Sequence, residues 1–153
     1  MYLIDTNSLV ILILGLLNVK HLGKHKRASI YDEDDFIELL DFIEDPKNLV
    51  VLPNVWSEVD NLLNDFAGAE KYPYIQQIIE IIQNSSEIYL DTQSSTVHYA
   101  FPNLGITDSL LLTLGKDYDA LITSDSQLSD YALSMGIFVY DMVKLKNEKL
   151  QKY

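Results

Sequence analysis

Cysteine is absent from this 153-residue chain, and its absence removes disulfides, zinc-thiolate centres and thiol nucleophiles from consideration. No feature points to an oxidising compartment, so a cytoplasmic location is the expectation. Basic residues are scarce: 11 against 23 acidic ones, for a net charge of −12, with Arg27 as the lone arginine. Polyanions are bound chiefly by lysine and arginine that displace counterions, so a chain this acidic must concentrate its few cations to bind one. Long apolar runs are also missing. The stretch from Leu9 to Leu17 is far shorter than the roughly 20 residues a membrane-spanning helix needs. No basic residue precedes it, and Asp5 stands where a signal peptide carries positive charge. It reads as a buried helix, and no membrane partner is expected. Internal repeats, low-complexity tracts and linkers are absent, which predicts a single domain over 1–153 with about 141–153 as a basic C-terminal tail.

Apolar residues make up 48% of the chain, and at this length folding removes roughly 70% of the unfolded surface. A substantial core is therefore available. Eight of the 11 cations fall into two groups, Lys20, Lys24, Lys26 and Arg27 in one segment and Lys144, Lys146, Lys149 and Lys152 in the other, while Lys47, Lys71 and Lys116 lie elsewhere. Two basic patches on an acidic body suit the guiding of a polyanion, and equally suit a solvated loop and tail.

Tyr2 to Ile4 reads as a short strand, and the polar cluster after it as a helix start. A buried helix to Leu17 follows, then a basic loop from Lys20 to Ser29. A helix from Asp32 to Ile43 precedes a strand from Leu49 to Leu52. Pro53-Asn54 opens a helix with Val55, Val59, Leu62, Leu63 and Phe66 on one stripe. A helix over Tyr74 to Ile82, a strand from Ile88 to Leu90 and a short helix from Ser94 to Ala100, broken by Pro102, come next. The chain ends with a helix from Thr107 to Gly115, a strand from Ala120 to Thr123, a helix from Ser126 to Met135 and a strand from Ile137 to Tyr140. This alternation predicts an α/β/α sandwich with a mainly parallel central sheet.

In such sheets, ligands bind beyond the carboxyl ends of the strands. Asp5 and Asp125 directly follow strands, Glu58 lies in the opening turns of the helix after the second strand, and Asp108 opens its own helix. Each acid has a bland account, because aspartate caps helices and acids favour the positive end of the helix dipole. Glu58 borders an apolar stripe beside Leu62, and Asp108 shares a face with Leu111, Leu112 and Gly115, which suggests a crevice rather than open solvent. Two carboxylates about 4 Å apart repel by roughly 4 kcal/mol at an effective dielectric near 20. Convergence of all four therefore calls for a cation, and oxygen-only donors favour Mg²⁺ or Mn²⁺.

Four segments carry a resemblance. Ile4-Asp5-Thr6-Asn7, Pro53-Asn54-Val55-Trp56-Ser57-Glu58-Val59, Gly105-Ile106-Thr107-Asp108-Ser109-Leu110 and Leu121-Ile122-Thr123-Ser124-Asp125-Ser126-Gln127-Leu128 resemble, in order and spacing, the acidic blocks of the PIN-domain nucleases. Those include the toxin ribonucleases of toxin–antitoxin pairs. The resemblance implies a PIN-like sandwich and a Mg²⁺- or Mn²⁺-dependent endoribonuclease. Asp5, Asp108 and Asp125 would bind metal, with Glu58 holding a metal or its water. Asn7 and Thr6 match the polar pair that trails the first acid, with Asn7 orienting a water or phosphate oxygen; Thr123 would support its neighbours, and Lys20, Lys24, Lys26 and Arg27 are the candidates for contact with nucleic acid. An antitoxin-like inhibitor and a homodimer are further implied partners. A catalytically silent scaffold that binds RNA or protein is the competing reading. A phosphatase with Asp5 as nucleophile fits less well, because haloacid-dehalogenase-like enzymes need a second aspartate where this chain has Asn7.

Overall fold

The computed structural model describes residues 1–152; Tyr153, the last residue of the expected domain, lies outside the described residues. Strands β1 (Tyr2–Ile4), β2 (Leu49–Val51), β3 (Ser86–Glu87), β4 (Ala120–Thr123) and β5 (Val139–Asp141) form one sheet in the order β3-β2-β1-β4-β5. Every pairing is parallel. Helices α1 (Thr6–Leu17), α2 (Glu33–Ile43), α3 (Pro53–Leu63), α4 (Lys71–Asn84), α5 (Thr92–Thr96), α6 (Phe101–Leu114), α7 (Ser126–Ser134) and α8 (Met142–Gln151) connect and flank it. The expected α/β/α sandwich is therefore present.

β1 lies at the centre, between β2 and β4. The chain leaves it towards β2 on one side, and reaches β4 on the other only after crossing back, so the strand order reverses beside β1. That reversal opens a crevice at the carboxyl ends of β1 and β4. Leu3, Ile4, Leu121 and Ile122 are fully buried, which accounts for their continuous apolar pattern in strands covered on both faces. α1 is buried from Ser8 to Gly15. It packs so closely on α2 that a Cβ at Gly15 would stand 2.2 Å from the Phe36 ring.

Several boundaries differ from the sequence reading. The segment from Ile88 to Leu90 is not a strand: β3 ends at Glu87, and the last rung is Ile88 N–H to Val51 O at 3.1 Å. Beyond it Tyr89 is exposed, with nothing to pair against at a sheet edge. The short helix ends at Thr96 rather than Ala100. Pro102 does not break a helix but lies in the first turn of α6, where its missing N–H costs nothing. The bend comes at Gly105, whose φ of 79° favours glycine. The last strand begins at Val139 and ends at Asp141.

Lys20 to Ser29 is not an open loop. Val19–Lys24 forms a 3₁₀ segment, and Leu22 and Ala28 are fully buried anchors. The basic tail is likewise a docked helix, α8. Lys146 Nζ bonds Asp32 at 2.9 Å and Asp35 at 2.8 Å, while Lys149 Nζ bonds Asp35 at 2.8 Å and Glu38 at 2.9 Å. These cations are neutralised by α2, which removes them from any second basic patch.

Candidate active site

Asp5 follows β1 and caps α1, and its side chain is buried. Oδ1 accepts the Ser8 N–H at 2.8 Å, and Oδ2 accepts the Ser124 N–H at 3.2 Å together with the Thr123 hydroxyl. Burial pushes its carboxyl above the usual range, and these donors oppose the shift. Thr123, fully buried at the end of β4, also accepts the Asp125 N–H at 3.0 Å. One hydroxyl thus ties the ends of the two strands that border the crevice.

Asp125 caps α7 through Oδ1, which accepts the N–H groups of Gln127 at 2.8 Å and Leu128 at 3.0 Å. The sequence also permits a capping box from Ser124 to Gln127, but Asp125 itself holds the cap. Its Oδ2 has no donor among the described residues and remains free to face the crevice.

Glu58 is more exposed than its place beside the apolar stripe suggests. Two hydroxyls fix it nonetheless: Thr6 donates to Oε2 at 2.7 Å and Thr107 donates to Oε1. Its carboxylate therefore links the starts of α1 and α3 to the kink of α6.

Asp108 follows that kink and is half-buried. No hydrogen bond reaches its carboxylate among the described residues. Burial first, and then the charges of Asp5, Asp125 and Glu58, push its pKa up to about 7. That shift means the four acids share one electrostatic neighbourhood.

Asp5, Glu58, Asp108 and Asp125 all line one small cavity of about 160 Å³, with Thr6, Asn7, Leu62 and Arg27 completing the wall. Arg27 is the cation at its mouth. Lys20 and Lys26 are exposed outside this cavity, and Lys24 faces a separate hollow with His21 and His25. Of the expected nucleic-acid contacts, only Arg27 borders the acids.

Thr107 was not assigned a role from sequence. Its signal is the repeated adjacency of hydroxyl and acid, Asp5-Thr6 and Thr107-Asp108. Tyr31 also escaped notice. Among the described residues its buried hydroxyl and Ser124 Oγ both lack a hydrogen-bond partner, and burial with the charges of Asp5, Asp141 and Asp35 holds the phenol above its ordinary range.

Among the described residues, no three His, Cys, Asp or Glu side chains stand close enough to ligate one ion directly. The donor set is all oxygen, and Asp108 and Asp125 Oδ2 have no competing donors. Mg²⁺ is commonly held by one or two carboxylates with waters filling its shell. The chemistry of the pocket fits such an ion.

Searches for a matching family model, a similar curated protein and a similar solved structure found no match for this chain. The functional reading rests on the residues themselves.

Proposed function

We propose that the chain is a Mg²⁺- or Mn²⁺-dependent endoribonuclease whose acidic pocket hydrolyses a phosphodiester bond. The observation that carries the reading is the meeting of four acids from separate segments in one cavity, with Asp108 held near neutral pKa and without a hydrogen-bond donor. The resemblance of the four acidic segments to PIN-domain nucleases supports the same chemistry, and it alone supports a toxin role, an antitoxin-like inhibitor and a homodimer. No helix among the described residues is long and apolar enough to cross a membrane.

Asp108 and Asp125 Oδ2 are the groups with lone pairs free to hold a cation. Asp5 is fixed by three donors, which keeps its charge in place beside them. Thr6 and Thr107 fix Glu58 at the rim, and Arg27 brings positive charge towards the phosphate. Asn7 lines the wall, where its amide can orient a water or a phosphate oxygen. When bound, Mg²⁺ or Mn²⁺ supplies Lewis acidity towards the attacking water and the leaving oxygen.

The test is cleavage of single-stranded and structured RNA, and of matching DNA, with Mg²⁺ or Mn²⁺, with EDTA, and with Asp5→Asn or Asp108→Asn. Cutting of RNA that EDTA and both substitutions abolish is the expected result. Activity that survives EDTA, or survives both substitutions, overturns the mechanism. That no three acidic side chains among the described residues are grouped to ligate one ion directly favours a second reading, a scaffold that binds RNA or protein without cutting. RNA binding without cleavage under every condition would establish it.

A further inference from the structure

The acidic pocket opens into a larger cleft of about 790 Å³, and the two share Glu58 and Asp108 as a common wall. A volume of this size lies within the range of clefts that hold small organic groups. The walls change character along it. Apart from those two acids the lining carries no charge, and it is built from residues such as Asn54, Tyr89, Leu90 and Ile106. Among the described residues no cation lines the cleft to meet a second phosphate, and the two acids at its entrance repel one. An anion is therefore disfavoured there, and of the parts of a nucleotide only the uncharged base suits the cleft.

Tyr89 is 76% exposed, lies past the last rung of β3, and pairs with no other aromatic ring among the described residues. A large exposed ring on a cleft wall offers a stacking face. The kink at Gly105 lines the same cleft, and Glu58 is fixed to that kink through Thr107. The cleft is therefore braced at the point where it joins the acids.

We propose that this cleft is a nucleobase subsite. An unpaired base beside the bond at the acidic pocket inserts against Tyr89, with the Asn54 amide lining the wall that its polar edge meets. The inference rests on the nuclease reading of the acidic pocket. It narrows the substrate to single strands, because a base in a duplex has its faces stacked and its pairing edge engaged. It also assigns the neutral part of the nucleotide to the cleft and the phosphate to the acidic end, where Arg27 stands.

The experiment compares equilibrium binding of two probes to the full chain, with Ca²⁺ in place of Mg²⁺. One is a short single-stranded oligoribonucleotide of mixed sequence; the other is an abasic ribose-phosphate chain of equal length. Stacking on an aromatic side chain predicts that Tyr89→Ala weakens the oligoribonucleotide by about 5- to 150-fold, leaves the abasic chain unchanged, and is rescued in Tyr89→Phe. Tyr89 is exposed, so the substitution leaves the fold intact. Equal binding of both probes, or no effect of Tyr89→Ala, overturns the subsite. Cleavage measured in parallel separates the two readings. Tyr89-dependent binding without cutting in Mg²⁺ or Mn²⁺ keeps the subsite and removes the nuclease; cutting indifferent to Tyr89 does the reverse.

Discussion

Asp108 is the residue on which chemistry and stability meet. Its carboxyl titrates near 7 in the folded chain against an ordinary value of 3.8, so between those values the folded state binds more protons than the unfolded one. Stability contributed by this group therefore falls as pH rises through that window, and the full penalty is present above about 7. Asp5, raised by burial, acts in the same direction. Asp108→Asn is expected to raise Tm at pH 8 by several degrees, since each kcal/mol is worth about 2–4 °C at this size, while lowering cleavage by about 100-fold or more. Thermal melts at pH 5.5 and 8 check the first effect: the gain should shrink to roughly half at the lower pH and disappear only as the pH falls to the ordinary 3.8. Added Mg²⁺ should raise Tm of the wild type at pH 8 and leave the variant little changed. Thr107 offers a subtler test. Thr107→Val keeps the shape but frees Glu58 Oε1, and loss of such a supporting group typically costs about 10- to 100-fold in metal affinity or activity. A Mn²⁺ titration of the cleavage rate measures it.

At the scale of elements, the joint between α2 and α8 governs how well the molecule holds together. Asp35 is buried and receives both Lys146 and Lys149. Asp35→Ala leaves the buried Lys146 with Asp32 alone and Lys149 with Glu38 alone, so the cost should stay below the roughly 3–5 kcal/mol of a fully unpaired buried charge, and the expected fall in Tm is about 5–10 °C. Lys149→Ala removes a more exposed partner and should cost much less. Asp32, held down to about 2 by the hydrogen bond from Lys146, adds stability that is present above its ordinary 3.8 and lost as pH falls towards 2. Acid unfolding of Asp32→Asn should therefore lack part of the wild-type transition. This joint was hidden in the sequence. Lys146 and Lys149 are spaced for one helical face, as are Asp32, Asp35 and Glu38, but the partners lie more than 100 positions apart and no local pattern links them. By contrast β1, α1, α3 and β4 were legible, because their signals are local: an apolar run closed by a polar turn, a proline at a helix start, a stripe at helical period. Ile88 to Leu90 misled for the converse reason. Ile88 packs against the core while Tyr89 and Leu90 line a cleft, and residue type alone does not separate these places from a strand.

For the molecule as a whole, the charge imbalance sets how it meets a polyanion. Net charge is −12, and α2 has absorbed Lys146 and Lys149, so few cations remain to displace counterions. RNA affinity should fall only gently with salt, with a log–log slope of magnitude about 1–2, and Arg27→Ala should reduce that slope by about 1. A steep slope would point to a basic surface elsewhere. The candidate site was partly legible at this scale. Asp5 and Asp125 follow strands, and the rule that sites form beyond strand ends finds them; Asp108 showed itself by its apolar neighbours. The role of Thr107 and the adjoining cleft were not legible, because they depend on how the Gly105 kink faces α3. The threonine that joins Asp5 to β4 lies 118 positions away, and β4 fills the place beside β1 only after most of the chain has been threaded through α1 to α6. Contacts of such separation form late and slowly. On refolding from urea, cleavage should return with the slowest phase, after helix content has recovered. A half-folded chain then holds its acids apart, and is a harmless one.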